Sequence, residues 1–270
     1  MKHLLTILLV SLAFATTAQN TFTFNTKTAE IVLLSEGQRV SNINNLIGLT
    51  PQIIAETAPE NSVPGATNAF LIRTAGGKNV LVDTGHGREL FNNLKSVGVS
   101  PDKIDALLIT HLHGDHINGL VKDGTRAFVN AKLYLSKKEY DSAGENALKI
   151  LGFYSSDLIL FEPGEESPDN LYEDIRSMAC YGHTPGHTIF IIDNLVIWGD
   201  LIHAMAVQMP YPGVAITYDS DPKMAVESRL KMLEYIVNNQ LYSAGMHLPY
   251  PAIGRVKSNG KNGYIFTPVE

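Results

Sequence analysis

The stretch that decides the fold is Ile104-Asp105-Ala106-Leu107-Leu108-Ile109-Thr110-His111-Leu112-His113-Gly114-Asp115-His116. Its first half is an apolar run that reads as a buried strand, and it leads straight into a histidine. His111 and His113 are two apart, so beyond a strand end both rings can point the same way. Gly114 allows a sharp turn, which brings Asp115 and His116 back toward the same point at a helix start. Three imidazoles and a carboxylate packed this closely are the donor set of a transition-metal site and a poor composition for a core.

Two ions need more donors than this motif holds. Thr184-Pro185-Gly186-His187-Thr188 offers His187 in a turn between strands, Gly199-Asp200 offers a carboxylate at a strand end, and Met246-His247-Leu248-Pro249 offers a late histidine after a strand. Each is weak alone. Their order, each in a loop beside a strand, is specific. His183 is read as structural, bonding the backbone or orienting His187 from behind. His86 and His203 are read as pocket rim, and Cys180 as a small buried apolar residue.

Working outward, Ala69–Ile72 and Val80–Val82 read as a hairpin around Gly76-Gly77, ending in Asp83-Thr84-Gly85. Glu89 to Val97 is expected to be a helix. Lys132–Leu135, Met178–Tyr181, Ile189–Ile192, Leu195–Trp198 and Leu241–Met246 are expected strands, with Asp193-Asn194 as a two-residue turn. Asp221 and Pro222 open a helix whose stripe is Val226, Leu230, Leu233 and Val237. Residues 19–65 are expected to be loop, with a short strand over Ile31–Leu34 and one small helix. The halves look alike, each sending ligands from strand ends.

The chain has 270 residues, 44% hydrophobic and 18% charged, enough for a sizeable core and unlike a disordered chain. Its 21 basic and 27 acidic residues give a net charge of -6, which argues against nucleic acid as a partner. A single cysteine excludes an intrachain disulfide and a multi-cysteine zinc site. Residues 1–18 carry Lys2, an apolar run and small residues up to Ala18, the pattern of a cleaved signal peptide. The expectation is a periplasmic or secreted chain with one metallo-hydrolase domain over 19–270, no membrane insertion after cleavage, and a homodimer left open.

The order and local motifs resemble the metallo-β-lactamase fold hydrolases. The resemblance implies an α/β architecture, an αβ/βα sandwich of two mixed β-sheets flanked by helices. It implies two divalent metal ions, zinc first, with manganese, iron or cobalt as alternatives. Carried over by position, His111, His113 and His187 hold one ion; Asp115, His116 and His247 hold the other; Asp200 bridges them. Asp83 resembles the family's structural aspartate. The implied chemistry is attack by a metal-bridging hydroxide, with Asp115 and Asp200 as the catalytic carboxylates.

Within the family, Asp200 and the string Gly245 to Gly254 are similar to the methyl parathion hydrolase and acyl-homoserine-lactone lactonase branch. Asn118 departs from the glycine common after the HxHxDH motif, and no tryptophan follows Glu139 where organophosphate-cleaving members carry a pocket aromatic. The small-molecule substrate is therefore expected to be a lactone or ester, with organophosphate triesters and then β-lactams as alternatives. A metal-dependent binding protein without turnover is the reading from another class. Phe153, Tyr154, Tyr211 and Val214 are the expected pocket walls.

Overall fold

The computed structural model describes residues 20–270, and the expected leader over residues 1–18 lies outside the described residues. Two seven-stranded mixed sheets face each other. The first runs Thr21–Asn25, Ala29–Asn42, Ser62–Thr74, Asn79–Val82, Ala106–Leu108, Lys132–Ser136, Leu158–Phe161. The second runs Asp169–Tyr172, Ile175–Ala179, Thr188–Ile192, Leu195–Ile197, Tyr242–Ala244, Ile253–Ser258, Tyr264–Pro268. This is the α/β sandwich that the resemblance implied.

Alternation along each strand explains the layering. Phe70, Ile72, Val80, Val82 and Leu108 share one face of the first sheet and form one core cluster with Ile189, Phe190, Ile191, Val196 and Ile197 of the second. Leu71, Leu81, Leu107 and Leu133 turn outward and are covered by Leu90 and Leu94 of the helix Leu90–Ser96 and by Ala147 and Leu151 of Glu145–Gly152. Trp198 is fully buried in the inter-sheet core. A smaller cluster of Ile43, Ala58, Val63, Val207 and Val214 ties the helix Pro51–Thr57 region to the loop after Asp200.

Two parallel pairs aim the site. Asn79–Val82 runs parallel to Ala106–Leu108, and Leu195–Ile197 runs parallel to Tyr242–Ala244. Their carboxyl ends release Asp83, Thr110-His111, Asp200 and His247 respectively, where four strands stop and backbone is free to turn. Asp193 takes a positive φ of 49° in its two-residue turn, as expected of that residue type.

Two expectations are corrected. Ala29–Asn42 is a strand of 14 residues, where only Ile31–Leu34 carried an apolar signal. Its polar second half is held by pairing with Ser62–Thr74, with a register shift between Ser35 and Gln38. The helix Pro222–Asn238 is capped by Asp221, whose side chain accepts from Met224 N, but it buries Ala225, Arg229, Met232, Leu233 and Ile236. Leu230 of the expected stripe is exposed. Arg229 enters the core because its guanidinium donates to the carbonyls of Leu201, Pro212 and Val214 at 2.7–2.9 Å. No helix of the described residues is long and apolar enough to cross a membrane.

Candidate metal centre

Asp200 is buried at the point where the two sheets' loops meet. One oxygen, Oδ1, lies 3.1 Å from both His116 Nε2 and His247 Nε2. The other, Oδ2, lies 3.2 Å from His183 Nε2, 3.6 Å from His111 Nε2 and 2.9 Å from His203 Nε2. Three donor groups result: His111, His113, His183 and Asp200; Asp115, His116 and His247; Asp200, His203 and His247. Within each, the donor atoms lie within 4.8 Å of one another.

The far side of most rings is fixed by a specific acceptor. His116 Nδ1 donates to Asp83 Oδ2 at 2.6 Å, and Asp83 also takes Thr110 N and Oγ1 at 2.8 and 2.7 Å. His111 Nδ1 meets Thr110 Oγ1 at 3.0 Å. His183 Nδ1 faces Asp219 Oδ1 at 2.8 Å, and His247 Nδ1 faces the Ala66 carbonyl at 3.0 Å. These contacts leave Nε2 of each ring for the centre. His113 is reversed: its Nδ1 faces His111 Nε2 at 3.1 Å and His183 Nε2 at 3.0 Å.

Such a set fits divalent metal. His116 Nε2 and Asp200 Oδ1 are buried without any hydrogen-bond partner, and nitrogens of His111, His113 and His183 crowd one point. Burial, reinforced by the neighbouring His116, holds His111 well below the ordinary imidazole range. Burial and His183 bring His113 down to about 4, and burial brings His203 down to about 4. Neutral imidazole is the form that binds metal. Burial would raise Asp200, yet His116, His247 and His203 keep it well below the usual carboxylate range.

Six of the residues expected from sequence converge: His111, His113, Asp115, His116, Asp200 and His247. His187 does not. Its Nδ1 faces the Cys180 carbonyl at 3.0 Å and its Nε2 accepts the Asp200 N–H at 3.0 Å, so both nitrogens are used in holding the Asp200 backbone. Burial and His183 bring it down to about 3, which keeps that acceptor unprotonated. Gly199 permits the approach: its φ is +55° and an added Cβ would lie 2.5 Å from His187 Nε2. His183, four residues earlier in the same turn and expected to be structural, is the ring that enters the donor group.

Glu139 is the residue the sequence reading missed. It is 2% exposed and joins the two ligand loops. Oε1 accepts Leu112 N at 2.9 Å; Oε2 accepts Thr184 Oγ1 at 2.7 Å and Gly186 N at 2.9 Å. Gly186 sits so close that an added Cβ would be 2.1 Å from Glu139 N. Its only sequence signal was Ser136, which caps the short helix Lys137–Asp141 by accepting from Glu139 N. Cys180 is buried and pushed up to about 12, so it is no nucleophile.

Above Asp200 lies a cleft of about 590 Å³. Leu46, Val63, Ala204 and Ile216 line it together with the polar Arg39, Asn42, Asn45 and Tyr218. His86 and His203 border it, as expected. None of the expected walls does: Tyr154 is buried in the outer core, where its hydroxyl donates to Leu120 O, Phe153 is exposed, and Tyr211 and Val214 border a separate hollow.

The family model described as the Metallo-beta-lactamase superfamily matches residues 62–236. The chain belongs to that superfamily. The hydrolase AbOPH, of the beta lactamase superfamily, is 28% identical, with a TM-score of 0.80 over 94% of this chain and 99% of its own. AidC, a dizinc quorum-quenching lactonase, superposes with a TM-score of 0.81 over 93% of this chain and 98% of its own; at 24% identity it shows the shared fold. An atrochrysone carboxyl ACP thioesterase from Aspergillus chevalieri is 28% identical over 75% of this chain and 70% of its own. Coverage of curated relatives is uneven: a ribonuclease Z from Aeropyrum pernix matches at 50% identity over 52 residues, 19% of this chain and 16% of its own length. Family and donor set together make the chain a metal-dependent hydrolase.

Two outcomes follow. Glu139→Gln places an amide N–H against donors that the carboxylate accepts, so metal affinity should fall about 10–100-fold, read by competition with a chelator while circular dichroism stays native; unchanged affinity would remove Glu139 from the support of the site. The second concerns protons. Burial lowers His183, but its bonds to Asp200 and Asp219 outweigh that and raise it to about 9. In the metal-free protein this favours the fold below the unfolded pKa of about 6.5, and the contribution is lost as pH rises through about 9. Metal binding runs the opposite way, because the proton must leave. Calorimetry at pH 7 in two buffers of different ionisation enthalpy should show net proton release on loading, with affinity rising toward pH 9; proton-neutral loading would contradict it.

Proposed function

We propose that this chain is a dizinc hydrolase of lactones, of the acyl-homoserine-lactone kind. The observation that carries the reading is the cleft over Asp200, lined by both apolar and polar side chains. Its volume of about 590 Å³ suits a lactone head group with an acyl tail against Leu46, Val63 and Ile216. A lactonase with two zinc ions among the structural neighbours supports it.

In this reading His111, His113 and His183 would hold one ion and Asp115, His116 and His247 the other, with Asp200 shared between the two groups. His203, which faces Asp200 from the cleft side, steadies that carboxylate. When bound, the two ions supply Lewis acidity, lowering the pKa of water and polarising the acyl oxygen. Asp83 and Asp219 keep His116 and His183 aimed with Nε2 inward. His187 holds the Asp200 backbone and so the position of its carboxylate. Asp115 borders the cleft with 25% of its side chain exposed, where its carboxylate could take the proton of the attacking water and pass it to the departing alkoxide.

Organophosphate triesters remain the competing substrates, since the same donors can act on phosphorus. The decisive comparison is kcat/KM for a long-chain homoserine lactone against methyl paraoxon at equal zinc loading. The lactone should lead and chelation should abolish its opening; a tenfold lead for the triester, about 1.4 kcal/mol in transition-state binding, would reverse the reading. For the donor assignment, His183→Ala should bind one ion fewer per chain and lose at least a hundredfold in kcat/KM. Two ions retained in that variant would return the ligand role to His187.

A further inference from the structure

Arg39 is the only lysine or arginine among the residues bordering the cleft, and it stands beside the donor cluster. The register shift between Ser35 and Gln38 sets it opposite Gly65. Its stem lies over that glycine, with Nε and Cγ 3.7 and 3.8 Å from where a Cβ would sit. The head reaches His247, where a terminal nitrogen lies 3.1 Å from Nδ1. That is its one side-chain hydrogen-bond contact among the described residues.

This contact cannot persist as a hydrogen bond once His247 is a ligand. Nε2 must then offer its lone pair to the centre, so Nδ1 carries the proton and gives it to the Ala66 carbonyl at 3.0 Å. An N–H of Arg39 facing an N–H of His247 is left without an acceptor. Tyr218, which also borders the cleft, is in a similar state. Asn45 Nδ2 donates to its hydroxyl, which leaves the phenol's own proton free. Two unspent donors therefore face the space above Asp200, one of them cationic.

We propose that Arg39 is a specificity-determining residue that receives an oxygen acceptor adjacent to the ester bond that is cut: an amide carbonyl in the substrate, and equally the carboxylate exposed when the ring opens. The proposal rests on the lactonase reading for the identity of the substrate, but not for the existence of the acceptor site. A guanidinium donor gives a charge-assisted bond to such an oxygen and little to a plain alkyl lactone.

The test compares zinc-loaded wild type, Arg39→Met and Arg39→Lys. The first measurement is the ratio of kcat/KM for N-hexanoyl-homoserine lactone to that for γ-octalactone, which lacks the amide. In Arg39→Met this ratio should fall at least tenfold, mainly through KM for the amide substrate, with partial recovery in Arg39→Lys. An unchanged ratio overturns the proposal. The second measurement is equilibrium binding of ring-opened N-hexanoyl-homoserine, which should weaken at least tenfold in Arg39→Met. If wild type opens neither lactone, the lactonase reading fails and this binding alone decides the acceptor site: weakened binding supports it, equal binding overturns it. Zinc content is measured in all three proteins. Loss of zinc from Arg39→Met would assign the residue to holding His247 and overturn the proposal.

Discussion

A carboxylate with no exposure to speak of is costly unless positive charge or donors surround it. Asp200 meets that constraint by facing imidazoles on both oxygens and by having its own N–H taken by His187. Much of the surrounding structure reads as a consequence. Gly199 takes a positive φ so that the His187 ring can approach from behind. Arg229 fixes the loop that leaves Asp200 by binding three of its carbonyls. His116 is anchored by Asp83, which is itself locked by Thr110. In the metal-free chain the histidine protons balance this charge; with metal bound, the ions would do so. Metal binding and folding are accordingly coupled at this carboxylate.

Convergence depends on strands that stop early. Ala106–Leu108, Leu195–Ile197 and Tyr242–Ala244 have only three residues each, and each is followed by a donor. A longer ladder would commit Thr110 N to a neighbouring strand. Here it goes to Asp83 Oδ1 instead. Glu139 does for the loops what the ladders do for the strands, joining Leu112 to Thr184 and Gly186 through one buried side chain.

The sequence displayed the central motif because His111, His113, Asp115 and His116 are local, and local spacing translates directly into shared direction. Strand ends at Asp200 and His247 were legible for a similar reason: an apolar run ending in a donor. His183 and His187 were not separable, since both sit in one turn four residues apart. What sorts them is their partners, Asp219 for one and the Cys180 carbonyl for the other, and both pairings are tertiary. The long strand Ala29–Asn42 was half hidden because its polar end has no period of its own and follows its neighbour. Arg229 gives no sign of its burial in the sequence, because the carbonyls it binds come from Leu201, Pro212 and Val214.

The division between chemistry and selectivity follows the chain. Residues matched to the superfamily, 62–236, include every donor except His247. Of the polar residues lining the cleft, Arg39, Ser41, Asn42 and Asn45 precede that span. They sit on the end of an edge-side strand and the turn after it, where changes in side chain leave both sheets intact. The central donors answer to a metal, whose geometry admits few substitutions. The wall answers only to the ligand that rests against it. Exchanging Arg39, Asn42 or Asn45 would change the lining of the cleft and leave the donors in place, which is why membership of the superfamily says which bond chemistry is available and not which molecule is brought to it.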